Sequence, residues 1–305
     1  MVDILDQQGK LLAKLPAENL LQADLSNRPL RKGDFSMSVM FRANLANSDL
    51  HAADFRGANL TSSQLINTQL EHAVLKDANL KGANLTGANL SYANLAGADL
   101  TGANLTGAVL AHANLSKCIL SKAVMLHCDL SRASLENAEM AGADLTSANL
   151  SHTNLFQANM QKCVLIGADL TLADLEMAKL NWASLNKAIL NKSVLRTTNL
   201  LEAQMEGVQM LEAYLSQTCL KGVRLVHANL EGATLMNADL SEADLRYANL
   251  RSCKLSAVNL SLAKLQHANF TNALFEGVTA KGARCNEETR LPGAYTPESL
   301  GLLAG

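Results

Sequence analysis

Long apolar runs are missing from this chain. No stretch approaches the roughly 18 consecutive apolar residues of a membrane span, so no membrane partner is expected. The first fifteen residues, MVDILDQQGKLLAKL, lack a basic start, an apolar run and a cleavage site, which argues against secretion. Six cysteines occur without a CxxC pair or any clustering, a pattern of free thiols in a reducing compartment. The expected setting is therefore the cytoplasm. Neither sign of charge prevails: the formal net charge is −2, too close to neutral to imply direct binding of nucleic acid or an acidic membrane surface. Aromatic residues make up 4% of the chain and prolines number four, yet hydrophobic residues reach 48%. A core must then be assembled mainly from Leu and Ala.

The sequence instead carries a repeat. From Leu25 to Phe275 every fifth residue is large and apolar, without a break. Most are Leu; Phe35, Phe55, Phe270 and Phe275 and six methionines, Met40, Met125, Met140, Met160, Met205 and Met210, are the exceptions. Two residues earlier sits a small residue, usually Ala, with Arg28 the one plain violation. A period of five fits neither regular element. On a helix each step of five turns the row about 140° past full circle, and on a straight strand an odd period sends successive Leu residues to opposite faces. The conflict disappears if the chain bends once per repeat. With the Leu position called i, residues i−2 and i point inward, i−1 points outward, and i+1 and i+2 turn a corner. One repeat cannot stand alone. Burying one Leu yields about 1.5–3 kcal/mol, while ordering five residues costs on the order of 7 kcal/mol. Coils must stack and share a core.

The A-[D/N]-L-x-x pattern, purest in ANLTGANLSYANLAGADLTGANLTG from Ala83 to Gly107, resembles the pentapeptide-repeat family over about 250 residues. The resemblance implies an all-β solenoid: a single right-handed quadrilateral parallel β-helix with twenty residues per coil. By that implication there are about twelve or thirteen coils, roughly 60 Å long at the usual spacing between strands. The expected organisation is an N-terminal hairpin cap (1–20), the β-helix (21–285) and a C-terminal cap (286–305). The hairpin runs from Val2 to Leu5 and from Lys10 to Leu15 and is broken by Pro16. The register fades through Ala280 and Cys285, and Thr296, Pro297 and Glu298 start a short helix ending near Leu303.

The pattern offers no phosphate loop, no metal-ligand spacing of Cys or His and no nucleophile elbow. No catalytic, cofactor-binding or metal-binding residue is assigned, and an enzyme is not expected, because a filled interior leaves no cleft. His127-Cys128-Asp129 splits across the register, with Cys128 inward and its neighbours outward. Cys118, Cys163 and Cys253 take the same small inward slot. Six of the seven histidines fall at i+2, so twenty-residue coils would align His72, Tyr92 and His112 on one corner and His227, Tyr247 and His267 on the next. Histidines two coils apart lie almost 10 Å apart, too far to share a zinc ion at about 2 Å per ligand. Asn27, Asn47 and Asn67 are expected to form a ladder.

One side of the repeat departs from outward polarity. The side carrying Phe35, Phe55 and Leu75 inside presents Phe156, Met177, Val194, Tyr214 and Met236 outside, a candidate patch for an unidentified protein partner or for self-association as a dimer. The expected function is that of a non-catalytic interaction protein. The alternative comes from the resemblance: some family members mimic a DNA duplex and bind type II topoisomerases such as gyrase. A duplex of this length would carry about 35 negative charges at one per 1.7 Å, against −2 here. The charge also alternates in bands. Residues 128–176 hold seven acids and two bases, and 177–200 four bases and no acid. Residues 201–245 hold seven acids and two bases, and 246–284 six bases and one acid.

Overall fold

Each repeat turns through the left-handed region of backbone space. From Gln22 to Gly282 every i+2 residue has a positive φ, between +53° and +62° wherever it is not glycine. That single setting per five residues bends the strand and restores its phase, so i−2 and i face inward again. The computed structural model describes residues 2–15 and 19–304 and divides into two compact units, Met1–Asn154 and Leu155–Gly305. The expected Pro16 break lies outside the described residues.

Within each unit the coils stack in parallel at a register of twenty residues. Asp24, Asn44 and Gln64 bridge in turn in the first unit, and Asn159, Lys179 and Asn199 in the second. Four bends per twenty residues make the section four-sided, and the fold is a right-handed quadrilateral β-helix. Three backbone hydrogen bonds recur on each side of a coil. Leu85 N–H donates to Asn104 O (2.7 Å), Asn104 N–H to Ala83 O (2.9 Å) and Gly87 N–H to Thr106 O (2.9 Å). A fourth closes the turn within the repeat, from Ala88 N–H to Leu85 O (3.0 Å).

Every i side chain from Leu25 to Phe270 is buried. Nearly all the small i−2 residues are buried beside them, and several of the polar ones bond to a carbonyl: Ser48 Oγ donates to Leu25 O (2.6 Å) and Thr198 Oγ1 to Leu175 O (2.7 Å). The preference for Asp or Asn at i−1 also has a local cause. Asn84 Oδ1 accepts from Thr86 N–H (3.2 Å) and from the Thr86 hydroxyl (2.6 Å), pinning the corner that follows. Arg28 is tolerated because it belongs to the first coil, where no coil lies beneath it, and its side chain is only half-buried. Gly33 is required by its neighbour: a Cβ there would lie 2.6 Å from the Phe35 ring. Phe35 in turn stacks on Phe55 at 4.9 Å.

The first coil is closed by β1 (Val2–Leu5) and β2 (Leu11–Leu15), an antiparallel hairpin. Asp34 N–H donates to Leu5 O (2.9 Å) and Gln7 N–H to Lys32 O (3.1 Å), so the hairpin covers the lower edge of the Phe35 side. On the adjacent side the downward-facing position is Pro29, which has no N–H to leave unpaired.

At the other end the register holds longer than expected. Ala280 and Cys285 remain buried and Lys264 still bridges Arg284, but Asn269 then bridges Arg290, an offset of twenty-one. The extra residue is absorbed where Thr289 Oγ1 donates to Leu265 O (3.0 Å) and Asn286 Oδ1 accepts from His267 N–H (2.9 Å). The expected terminal helix is a single 3-10 turn, Glu298–Leu300, which ends at Gly301 with φ +66°. Beyond it the chain extends as β6 (Leu303–Ala304), parallel to β5 (Arg284–Cys285). Leu303 N–H donates to Ala283 O (2.8 Å), so satisfying a solenoid edge prevails over continuing a short helix.

Two stability measurements follow. Ala93, 1% exposed, fills an inward slot, and Ala93→Phe is expected to destabilise by about 1–3 kcal/mol or more, read as a lowered Tm in calorimetry. An unchanged Tm would refute the inward assignment of i−2. Thr197 is β-branched at φ +54°, and Thr197→Asn should raise stability by about 1 kcal/mol in denaturant titration.

Candidate interaction surface

On each side of a coil the i−1 residues form an outward column, and most are Asn or Asp held in turns. One column of the second unit carries three large apolar groups, Val194, Tyr214 and Leu274. Asp174, Val194, Tyr214 and Thr234 bridge in succession, followed by Lys254 and Leu274 in β3 (Lys254–Ser256) and β4 (Leu274–Glu276). Val194 and Tyr214 thus occupy neighbouring strands of one ladder. Tyr214 is 51% exposed and Val194 half-buried.

The corner beside this column carries the other three residues of the expected patch, in two rows. Phe156, half-buried, and Met236, 45% exposed, stand at i+1; Met177, 47% exposed, stands at i+2, where its sulfur lies 3.6 Å from Gln157 Nε2. They are not contiguous. Glu176, Arg196 and Ser216 intervene along the row from Phe156 to Met236, and Arg196 donates to Glu176 at 2.7 Å. The fold therefore brings Val194 and Tyr214 together and separates Phe156 and Met177 from Met236 by an ion pair.

The upper end of this face holds an apolar group that the sequence reading omits. Leu274 is 64% exposed, although its position in the repeat marks it only as another outward residue. Together with Met236, Phe275 and the segment 292–295 it lines a groove of about 820 Å³, with Lys254, Ser256 and Glu276 at its polar margin. Tyr295 forms part of the wall, its ring 5.3 Å from that of Phe275 and its hydroxyl donating to Phe275 O (2.9 Å). The local signal for this was the Pro292-Gly293 turn, which folds the chain back over the last coil.

The remaining candidates take structural places. Cys128 Sγ donates to Leu105 O (2.7 Å) and burial pushes its thiol up to about 12; burial does the same at Cys118 and Cys253. Asp129, its neighbour, accepts from Ser131 N–H and from Asn149 Nδ2, both at 3.0 Å, and supports a turn. His72, Tyr92 and His112 stack at 5.1 and 4.8 Å, and His227, Tyr247 and His267 at 4.9 and 4.3 Å. A tyrosine ring separates the two histidines in each stack. Among the described residues no group of three His, Cys, Asp or Glu side chains is gathered as for a metal ion. Asn47 Nδ2 donates to Asn27 Oδ1 (3.3 Å) and Asn67 Nδ2 to Asn47 Oδ1 (3.5 Å), and this ladder ends beneath Gly87, whose missing Cβ leaves room for the Asn67 amide.

Thiol burial is directly testable. At pH 8 Cys118, Cys128 and Cys253 stay protonated, since their pKa values lie far above that pH, and they should resist iodoacetamide in the native protein. The half-buried Cys219 should alkylate first in mass-spectrometric mapping. Raised thiol pKa values also mean that this contribution to stability is complete below about pH 9 and is lost as pH rises toward 12.

The family model described as pentapeptide repeats (8 copies) matches nine segments, beginning with residues 19–61 and ending with 259–287. No curated relative matches the chain. Among solved structures, the chain is similar to HetL, a pentapeptide repeat protein involved in heterocyst differentiation regulation in the cyanobacterium Nostoc sp. strain PCC 7120. Identity is 34%, coverage 70% of this chain and 87% of that one, and the TM-score 0.36. It is also similar to Rfr23, a pentapeptide repeat protein from the cyanobacterium Cyanothece 51142, with 28% identity, 38% and 65% coverage and a TM-score of 0.14. QnrB1, a plasmid-mediated fluoroquinolone resistance protein, shares 18% identity over 73% of this chain and 90% of its own, with a TM-score of 0.24.

Proposed function

The chain belongs to the pentapeptide-repeat family, and from that premise we propose that it is a non-catalytic interaction protein whose second unit offers one face to a protein partner. The observation that carries this reading is the Val194–Leu274 column. Its outward positions are Val, Tyr, Thr, Lys and Leu, so Val194, Tyr214 and Leu274 share one ladder with none of the turn-forming Asn or Asp that are commonest at this position. Val194 and Tyr214 cannot accept the N–H of the following corner as Asn84 does. A large, half-exposed tyrosine between Val194 and Thr234 on the neighbouring strands suits the centre of a protein interface.

The duplex-mimic reading receives less support from the same unit. Five of its acidic residues are paired with bases: Glu176 with Arg196, Glu206 with Arg224, Glu212 with Lys192, Glu242 with Lys221 and Asp244 with Arg246. A surface neutralised in this way presents no continuous anionic field to a DNA-binding enzyme.

The deciding experiment is affinity capture from native lysate with wild type and Tyr214→Asp, alongside a gyrase supercoiling titration. Tyr214→Asp should keep its Tm, because the side chain lies outside the core, and should lose the captured partner by at least about tenfold. Equal capture by both proteins would overturn the reading. Inhibition of gyrase at sub-micromolar concentration would restore the duplex-mimic account.

A further inference from the structure

The last coil of the second unit leaves part of its upper edge open. One coil lower, Cys253 C=O accepts from Leu274 N–H (2.8 Å), Leu255 N–H is paired within the β3–β4 ladder, and Ala257 N–H donates to Glu276 O (2.6 Å). The corresponding groups of the last coil are Ala273 C=O, Phe275 N–H and Gly277 N–H. None of the three has a backbone partner among the described residues. Two other sides of the same end are closed by the chain itself. Phe270 N–H donates to Arg290 O (2.7 Å) and Arg290 N–H to Ala268 O (2.9 Å), while β6 lies parallel on β5. This end of the solenoid thus already takes extended backbone as its covering, in parallel register, wherever covering is present.

On the open side the free edge runs along the groove lined by Met236, Leu274, Phe275 and Tyr295. A groove of about 820 Å³ falls in the range of ordinary binding clefts. Lys254 at its margin has no ion-pair partner among the described residues, whereas Glu276 accepts from Ser256 Oγ (3.0 Å). The surrounding segment, 246–284, has six bases and one acid.

Resting on the interaction reading above, we infer that β4 is a strand-addition site: it takes an extended, acidic segment of a protein partner, parallel to β4. The partner's N–H donates to Ala273 C=O, and its carbonyls accept from Phe275 and Gly277. An apolar side chain of the partner lies against Leu274 and Met236, and a carboxylate faces Lys254. Main-chain pairing supplies affinity in this mode, and the pockets for alternate side chains supply selectivity.

The probe is a fluorescein-labelled, acetylated hexapeptide of alternating valine and threonine ending in aspartate, titrated into the full chain by anisotropy. Saturable binding is expected, with slowed hydrogen exchange at the Phe275 and Gly277 amides. N-methylation of the peptide backbone at its central valine should weaken binding about fivefold, the effect of one lost hydrogen bond. Leu274→Lys should weaken it at least about tenfold, whereas Leu172→Lys, an exposed apolar residue outside the groove lining, should leave it unchanged. Absence of saturable binding, indifference to N-methylation, or unaltered exchange at Phe275 would each overturn the inference. A wild-type dimer in sedimentation that Leu274→Lys dissociates would overturn it in favour of a second copy as occupant. Partner capture that depends on Tyr214 while the peptide fails to bind would leave the face reading standing and remove only the strand-addition site.

Discussion

A left-handed corner once in every five residues is the constraint from which the remaining structure follows. An ordinary strand cannot keep two inward positions per repeat aligned when the period is odd. With i+2 held near φ +57°, the alternation restarts at each corner, and i and i−2 always face the interior. A non-glycine residue in this region costs roughly 1 kcal/mol, and most corners here are not glycine. The cost is offset from the neighbouring coil: the same corner residue donates its N–H upward, as Trp182 does to Leu201 O at 3.0 Å. A coil is therefore held in shape by the coil beside it. The first and last coils lack such a neighbour on one side, which is why the irregular segments of the chain gather at them.

The interior was legible from the sequence because it depends on residue size at fixed spacing. Leu25 through Phe270, the small residues beside them and the inward placement of Cys118, Cys128, Cys163 and Cys253 could all be counted off. The corner conformation was not legible in the same way. Left-handed backbone is normally announced by Gly or Asn, but here Lys, His, Tyr, Leu and Trp occupy it, since hydrogen bonding between coils overrides the preference of a single residue. The C-terminal end was hardest to read. Thr296-Pro297-Glu298 is a sound local start for a helix, yet what decides the fate of the segment is an unpaired edge at Ala283, distant in sequence. The exposure of Leu274 was not legible for a related reason: it depends on where the last coil stops and on the placing of the 292–295 segment.

The candidate face illustrates a division of labour between positions. Inward residues and corners are fixed by folding, whereas i−1 can vary provided that the corner survives without its side-chain acceptor. Asn and Asp at i−1 serve the turn; Val194, Tyr214 and Leu274 do not. The interaction reading rests on Val194, Tyr214 and Leu274 sharing one column. Charge plays a separate part on the same unit, where pairs such as Arg196 with Glu176 and Lys221 with Glu242 link residues of adjacent coils and interrupt the apolar rows. Such pairs are exposed and contribute little to stability. Their effect is to set which apolar groups can be reached together.

The twenty-residue register also governs how a protein of this kind can change in length. Insertion or deletion of one repeat keeps the inward pattern intact, so the chain would still fold. Everything beyond the change would be turned by a quarter of the section, and columns such as Asp174–Val194–Tyr214 would be dispersed over different sides. Only gain or loss of four repeats at once preserves both the core and the faces. The fold therefore filters duplications by function more strictly than by stability: lineages using a face should differ in length by whole coils, and those using only bulk could differ by single repeats.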